Sequence, residues 1–506
     1  MHPSEDFQPD RDLPPESDAL VEDLGLSPLF ESMASGDRFL LAVAKTAVLS
    51  PLTEPSEIVY RQEALADCLA HPEFVKELYS LATEAVESHK KVMSWGITPS
   101  PESLHYISHH ALELLLGYLV RLRRITAELG AEMSSAAFVR LRSLVLSELD
   151  DAYLKLLQGH LDELRLRPGL WMSAHLGRAN KGTGYVLHKA PARARRERLS
   201  RRSQTGYSFT VRDDDDKRLR ELSELKARGI IAVANVLAQS VDSVVSFFGS
   251  LRSELAFYKG CLNLRTALVA KGEPVCTPVP MPPDSSCFRA VGVYDPGLSL
   301  RTGGRTVGND LDADNRALVV VTGANRGGKT TLLRSVGLAH LMMQCGMFVA
   351  ARSFSAGVRR RIFTHFRREE DRSMTGGKLE EELARMSSVI SHISPGCLLL
   401  CNEPFASTNE REGSDIAREV FVPLARAGVV VVVVTHLVDF AESLYENHPG
   451  YALFLRAPRQ SQGHEFKLVE GAPEATAYAE DVYKQIFGEL PGDVLGTRSV
   501  KRGPLS

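Results

Sequence analysis

Three short apolar runs punctuate the second half of this chain, at residues 317–321, 397–401 and 429–434. Runs without polar alternation suit strands buried on both faces of a parallel sheet. A stretch with helical spacing, residues 332–343, follows the first run, and further helical pattern separates the others. Strands alternating with helices predict an α/β domain. The first half is written in a different period. From Leu24 to about Leu164 apolar positions recur at helical spacing, with breaks at Pro51, Pro72 and the Pro99/Pro101 loop. Long helices are expected over residues 134–164. Residues 184–188 and 207–212 then predict two short strands. Acidic residues from Asp213 to Asp216 open another long helical stretch, which runs to about Lys271. Acids suit a helix N-terminus, where they oppose the positive dipole end. A proline-rich connector, residues 274–283, leads through strand-like pieces to the first apolar run.

The chain has 506 residues, so roughly two to four domains are expected. Its net charge is -3, with 60 basic against 63 acidic residues, so any nucleic-acid contact must come from local patches. No apolar run approaches about 20 residues, and no membrane span is expected. The start, Met1 to Asp6, lacks the basic and apolar regions of a secretory signal. Residues 1–22 are acidic and proline-rich, which predicts a disordered tail. The seven cysteines are scattered with no C-x-x-C pair, and read as reduced core thiols of an intracellular, cytoplasmic protein.

The chemistry concentrates after the first apolar run. Gly323, Ala324, Asn325, Arg326, Gly327, Gly328, Lys329, Thr330 and Thr331 follow a predicted strand and open a predicted helix. That is the context of a phosphate-binding loop, G-x-x-x-x-G-K-[ST]. Its glycines let backbone N–H groups turn inward around an anion, and the helix presents its positive end. Lys329 is expected to reach the β- and γ-phosphates of ATP, and Thr330 to ligate Mg²⁺. Arg326 is expected to point outward.

Such a site needs a second strand bearing a carboxylate. Residues 398–404 supply the candidate, with Glu403 at the strand end to accept or orient the proton of an attacking water. Asn402 stands where an aspartate is usual. It keeps an acceptor oxygen for Mg²⁺ but lacks the charge. The alternative for Glu403 is a plain helix-start acid. His436 ends the third strand and can contact the γ-phosphate or the water; the alternative is a structural histidine. Between the two predicted short strands lie Lys189, Arg193, Arg195, Arg196, Arg198, Arg201 and Arg202. They suit sequence-independent contact with DNA phosphates, or else form a solvated loop that pairs with the acids at 213–216.

These motifs carry a family likeness. Residues 322–331 resemble the T-G-P-N-M-G-G-K-S-T loop of MutS mismatch-repair ATPases. Residues 402–409 resemble that family's D-E-x-x-x-G-T segment, and Thr435-His436 its T-H switch. Val307, Gly308, Asn309 and Asp310 are similar to the segment that approaches the adenine there, so the resemblance adds Val307 and Asn309 to the cofactor site. Residues 467–479 resemble the closing pattern of the family, and residues 51–65 its core. The implied fold is multidomain: a helical core and lever region with a small clamp-like tip, then an α/β P-loop ATPase domain. Its expected divisions are 1–22 tail, 23–165 core and first lever, 166–212 clamp-like basic tip, 213–272 second lever helices, 273–495 ATPase domain and 496–506 flexible tail.

The core-like region begins near residue 25, so the expected chain lacks the family's mismatch-recognition and connector domains. No nuclease-like extension is expected after Ser506. Gly377 stands where the partner-reaching signature loop usually carries serine, with Ser373 and Thr375 nearby. The resemblance implies a divergent ATPase, dependent on ATP and Mg²⁺, acting as a homodimer on double-stranded or branched DNA in repair or recombination. Nucleotide state would gate its levers and clamp. Two other readings stand beside it. One is a nucleotide-gated dimeric scaffold that binds proteins and not DNA. The other is a membrane-transporter ATPase subunit, disfavoured by the fused helical half.

Overall fold

The apolar runs become the centre of a six-stranded sheet in a computed structural model of the chain. The strands are β6 (Leu318–Gly323), β8 (Ile362–Phe366), β9 (Leu398–Asn402), β10 (Val430–Val434), β11 (Ala452–Ala457) and β12 (Val469–Glu470), in the order β12-β11-β6-β10-β9-β8. All neighbouring pairs are parallel except β11 with β12. Leu318 to Val321 and Val431 to Val434 are at most 1% exposed, as strands covered on both faces must be. Each such side chain contributes about 1.5–3 kcal/mol of burial. A second sheet, ordered β3-β7-β4-β5, comprises β3 (Val279–Met281), β4 (Phe288–Val293), β5 (Asn309–Asp312) and β7 (Ser353–Gly357).

The structure describes residues 1–94, 100–166, 170–189, 210–212, 214–324, 326–367, 377–447, 450–458 and 466–473. They fall into two units. The helical unit takes Met1–Arg11, Met33–Thr46 and Tyr60–Asn263, and the α/β unit takes Asp12–Ser32, Ala47–Val59 and the chain from Leu264 onward. The expected divisions at residues 22 and 272 give way to this interleaved partition, and the one at 165 falls inside the helical unit. Periodicity announces a helix but not which core its apolar face joins.

The expected disordered tail is also corrected. Helix Ser17–Leu24 buries Leu20 and Leu24 in the α/β unit, Arg334 Nε donates to Asp23 O at 2.9 Å, and Arg361 Nε donates to Glu16 Oε1 at 2.7 Å. In the helical unit Met1 is buried, and its amino group pairs with Glu254 at 2.6 Å. Acidic composition does not prevent order where an apolar face is buried and an acid such as Glu16 meets a cation.

The helical unit is built from helices that begin where sequence signals place them. Ser100 caps Pro101–Glu128 by accepting from the Ser103 N–H, and Asp150 caps Asp151–Leu164 by accepting from the Tyr153 N–H. Helix Asp216–Ala270 runs for 55 residues. It contains an 18-residue window of mean hydropathy 1.6, long and apolar enough to cross a membrane by length and composition alone. The expectation of no such segment missed it because Asn235, Gln239 and Asp242 interrupt the run. Its buried residues Ile230, Ala234, Leu237, Val241 and Phe248 fall on one stripe, the pattern of a helix packed along one face.

β1 (Trp171–Leu176) and β2 (Gly182–His188) form an antiparallel pair. β1 was not legible, since Ser173, Ala174 and His175 dilute its alternation. The expected strand at 207–212 is corrected in part: residues 210–212 are not in a strand, and 207–209 lie outside the described residues. Residues 474–506, and with them the expected boundary at 495 and the C-terminal tail, lie outside them too. All seven cysteines are free thiols, five buried and Cys276 and Cys287 half-buried.

Candidate nucleotide-binding site

Parallel register brings the C-terminal ends of three strands to one edge of the large sheet. Val434 pairs with both Val321 and Asn402, so the residues after β6, β9 and β10 emerge side by side. In such sheets ligands bind at the carboxyl ends of the strands. A cavity of about 770 Å³ lies there, within the α/β unit. It is lined by the loop from Arg326 to Thr331, by Glu403, by Val307 and Asn309, and by Arg305 and Phe466.

The loop has the backbone of an anion cradle. Gly323 has φ 107° and Gly328 φ 87°, in the left-handed region. A Cβ at Gly323 would fall 2.5 Å from Ala457 O on the neighbouring strand. Gly328 caps helix Lys329–Gln344, whose first turn therefore faces the cavity. Lys329 is 5% exposed, and its Nζ donates to Gly323 O at 2.7 Å and to Ala324 O at 3.0 Å. Burial pushes its ammonium down to about 8, against the pull of the Glu403 charge. The ammonium thus rests on the loop's own carbonyls. Arg326, expected to point outward, lines the cavity with φ 59°. Asn325 lies outside the described residues.

The second motif meets the first. Thr330 Oγ1 donates to Asn402 Oδ1 at 3.0 Å. His436 Nε2 lies 3.2 Å from Glu403 Oε1, and Arg367 Nη1 lies 3.7 Å from Glu403 Oε2. The hydrogen bond from His436 holds the Glu403 carboxyl below its usual range, burial opposes it, and the charges of Lys329 and Arg367 add to the lowering. Glu403 is therefore an ionised, oriented carboxylate facing the cavity.

Residues 307–309 form the opposite wall. Asn309 Nδ2 donates to Phe466 O at 3.2 Å, and Asn309 Oδ1 accepts from the Leu468 N–H at 2.7 Å. Asn309 thus acts from its side chain on the 466–468 segment, while Val307 presents an exposed apolar surface. Phe466, Arg305 and Arg367 escaped the sequence reading. The glycine pair before Arg305 marked a loop, but nothing in the sequence brings Phe466 to residue 309. In the basic segment Lys189 pairs with Glu163; Arg193, Arg195, Arg196, Arg198, Arg201 and Arg202 lie outside the described residues.

Residues 319–473 match the family profile described as MutS domain V, and residues 53–271 match the one described as MutS2 N-terminal domain. The chain is a divergent member of the MutS family. It is 29% identical over 266 residues to "Endonuclease MutS2" of Anaeromyxobacter sp. (strain Fw109-5), covering 49% of this chain and 32% of that relative. It is 34% identical over 139 residues to "DNA mismatch repair protein MutS" of Thermotoga petrophila, covering 27% of this chain and 17% of that relative. The match to "Endonuclease MutS2" of Pelotomaculum thermopropionicum is 30% over 184 residues, 33% of this chain and 23% of that relative. The chain thus aligns with about a third or less of the length of these relatives.

The MutS-family loop fits a nucleotide polyphosphate. The inward-turned glycine backbone leaves a concave surface, and Arg305, Arg326 and Lys329 supply cations around it. Thr330 and Asn402 offer neutral oxygen donors suited to Mg²⁺, a hard cation that keeps several waters. Among the described residues no cluster of three or more His, Cys, Asp or Glu side chains forms a separate metal site.

Proposed function

We propose that this chain is a MutS-like ATPase that binds ATP with Mg²⁺, hydrolyses it, and works as a homodimer on double-stranded or branched DNA. What carries the reading is the convergence of the phosphate loop and Glu403 on one cavity, with His436 3.2 Å from Glu403. Lys329 would exchange a loop carbonyl for phosphate oxygens. Arg305 and Arg326 add positive charge, and the first turn of helix Lys329–Gln344 adds backbone N–H groups. Thr330 and Asn402 would hold Mg²⁺, which when bound neutralises phosphate charge. Val307 and Phe466 offer apolar surface to the base.

Glu403 orients the attacking water and accepts its proton as the water oxygen bonds the γ-phosphorus and ADP leaves with the bonding electrons. His436 holds Glu403 ionised and aimed. A neutral Asn402 makes this a slow enzyme. DNA contact is assigned to the cations of residues 189–202, and nucleotide state would control that contact through the helical unit. The work served is repair or recombination without direct mismatch recognition.

Purified full-length chain tests both halves of the reading. ATP turnover with Mg²⁺ is expected to be slow but measurable. Filter binding with duplex, branched and mismatched DNA, with and without ATP, should show retention that depends on nucleotide, with mismatched and matched duplexes alike. Nucleotide binding with no DNA retained at low salt would favour the protein-binding scaffold. No nucleotide binding would sink the reading outright.

A further inference from the structure

Glu382 is a buried carboxylate that neither nucleotide motif contains. It sits on helix Lys378–His392 and is 3% exposed. Its Oε1 accepts the backbone N–H of Phe405 at 2.6 Å, and His365 Nε2, on β8, lies 3.7 Å from the same oxygen. Burial pushes the carboxyl up, but its interactions with His365, the Phe405 N–H and Ser407 outweigh it and leave it below the usual range. Unpaired, an ionised group at this depth would not persist. Here it binds one backbone turn, the turn that carries Glu403.

That turn is unusual. Glu403 has φ 52° and Phe405 φ 59°, so two non-glycine residues within three positions adopt the left-handed region. Such residues hold that conformation where their surroundings over-determine it. Three contacts do so here. The Glu403 N–H donates to Val434 O at 2.8 Å, which ties the turn to β10. The Phe405 ring is fully buried against Phe421, their centroids 6.0 Å apart. Glu382 takes the Phe405 N–H. Released from Glu382, the chain at 405 can relax toward ordinary φ, and the Glu403 side chain two residues earlier would turn with it.

We propose that Glu382 is a positioning residue for Glu403: it pins the turn after β9 so that the Glu403 carboxylate meets His436 and faces the cavity. The proposal rests on the reading of Glu403 as the group that handles the attacking water. It also explains why a carboxylate is buried on a helix that contributes nothing to the cavity wall. An apolar residue there would pack as well but leave the Phe405 N–H without an acceptor. A merely structural carboxylate would lower stability and leave the turnover of each folded molecule alone.

The test uses Glu382→Leu, Glu382→Gln and Glu382→Asp in the full chain, with nucleotide affinity from fluorescent ATP-analogue titration and turnover per nucleotide-bound molecule. For Glu382→Leu, which removes the acceptor of the Phe405 N–H, affinity should stay within about twofold of wild type while turnover falls about tenfold to a hundredfold, the cost of misplacing a reacting group by about 1 Å. Glu382→Gln, which keeps an acceptor oxygen at the same reach, should recover most of that loss. Should Glu382→Leu fail to fold, Glu382→Asp, which withdraws the acceptor by one methylene, carries the test, with a smaller loss of turnover at unchanged affinity. Unchanged turnover in folded Glu382→Leu or Glu382→Asp overturns the proposal, and so does a parallel loss of affinity and turnover. If the wild type binds ATP but never turns it over, the reading of Glu403 fails first and this assignment falls with it.

Discussion

Thr330 Oγ1 and Asn402 Oδ1 are 3.0 Å apart, hydroxyl donating to amide. The pair joins the phosphate loop to the second strand and puts two neutral oxygens where a family member would place one hydroxyl and one carboxylate. Asn402→Asp adds a charge at that spot. It should lower the Mg²⁺ concentration needed for half-maximal turnover by about tenfold, the order of one partly screened charge contact. Turnover measured across a Mg²⁺ titration decides it, and an unchanged midpoint would remove Asn402 from the metal site.

Lys329→Ala deletes the buried ammonium of the loop. Charge-assisted hydrogen bonds to phosphate contribute about 1.5–3 kcal/mol, so nucleotide affinity should fall by about tenfold to over a hundredfold. Titration with a fluorescent ATP analogue reads the loss. Retained affinity in a folded variant would show that the loop does not grip the phosphates.

Glu403→Gln keeps the shape and removes the base. Turnover should fall by about a hundredfold or more while ATP remains bound, because general-base assistance is worth about 10²–10⁴. Single-turnover hydrolysis of bound ATP is the measurement. A rate equal to wild type would move the base elsewhere.

Asp67 holds together part of the helical unit. It accepts from the Ser134 N–H at 3.0 Å, Ser134 Oγ at 3.0 Å and the Ser135 N–H at 2.7 Å, just before helix Ala136–Glu148. Burial pushes its carboxyl up, but these hydrogen bonds outweigh it and leave the group below its ordinary value. A lowered folded-state value contributes stability that is present above the unfolded value of 3.8 and lost as pH falls through the folded one. Asp67→Ala should cost about 1–3 kcal/mol at neutral pH, and less of that difference should remain in strong acid. Chemical denaturation at the two pH values tests this. Equal destabilisation at both would exclude an ionic contribution.

The cations of residues 189–202 make a prediction of their own. If they neutralise phosphates, affinity for duplex DNA should fall with salt at a log–log slope of about −0.9 per phosphate contacted. Replacing Arg195, Arg196, Arg201 and Arg202 with Ala should flatten that slope and weaken all sequences alike, leaving ATP binding unchanged. An unaltered slope would assign DNA contact to other residues.

Much of the α/β unit was legible in the chain itself. Unbroken apolar runs leave no face for water, so residues 318–321 and 431–434 could only be interior strands. The strand, glycine turn and helix around residues 318–344 were legible because Gly323 and Gly328 have local reasons to stand where they do. Tertiary structure decided what depends on distant partners. Sequence distance hides that Val434 pairs with Val321 and Asn402 together, that Asn309 grips Phe466, and that Glu382 holds the turn bearing Glu403. It also hides that an acidic N-terminal stretch orders when Glu16 meets Arg361. Local pattern reports how a segment buries its own face. Which side chain completes a site is set by packing between segments far apart in the chain, and no local period encodes that.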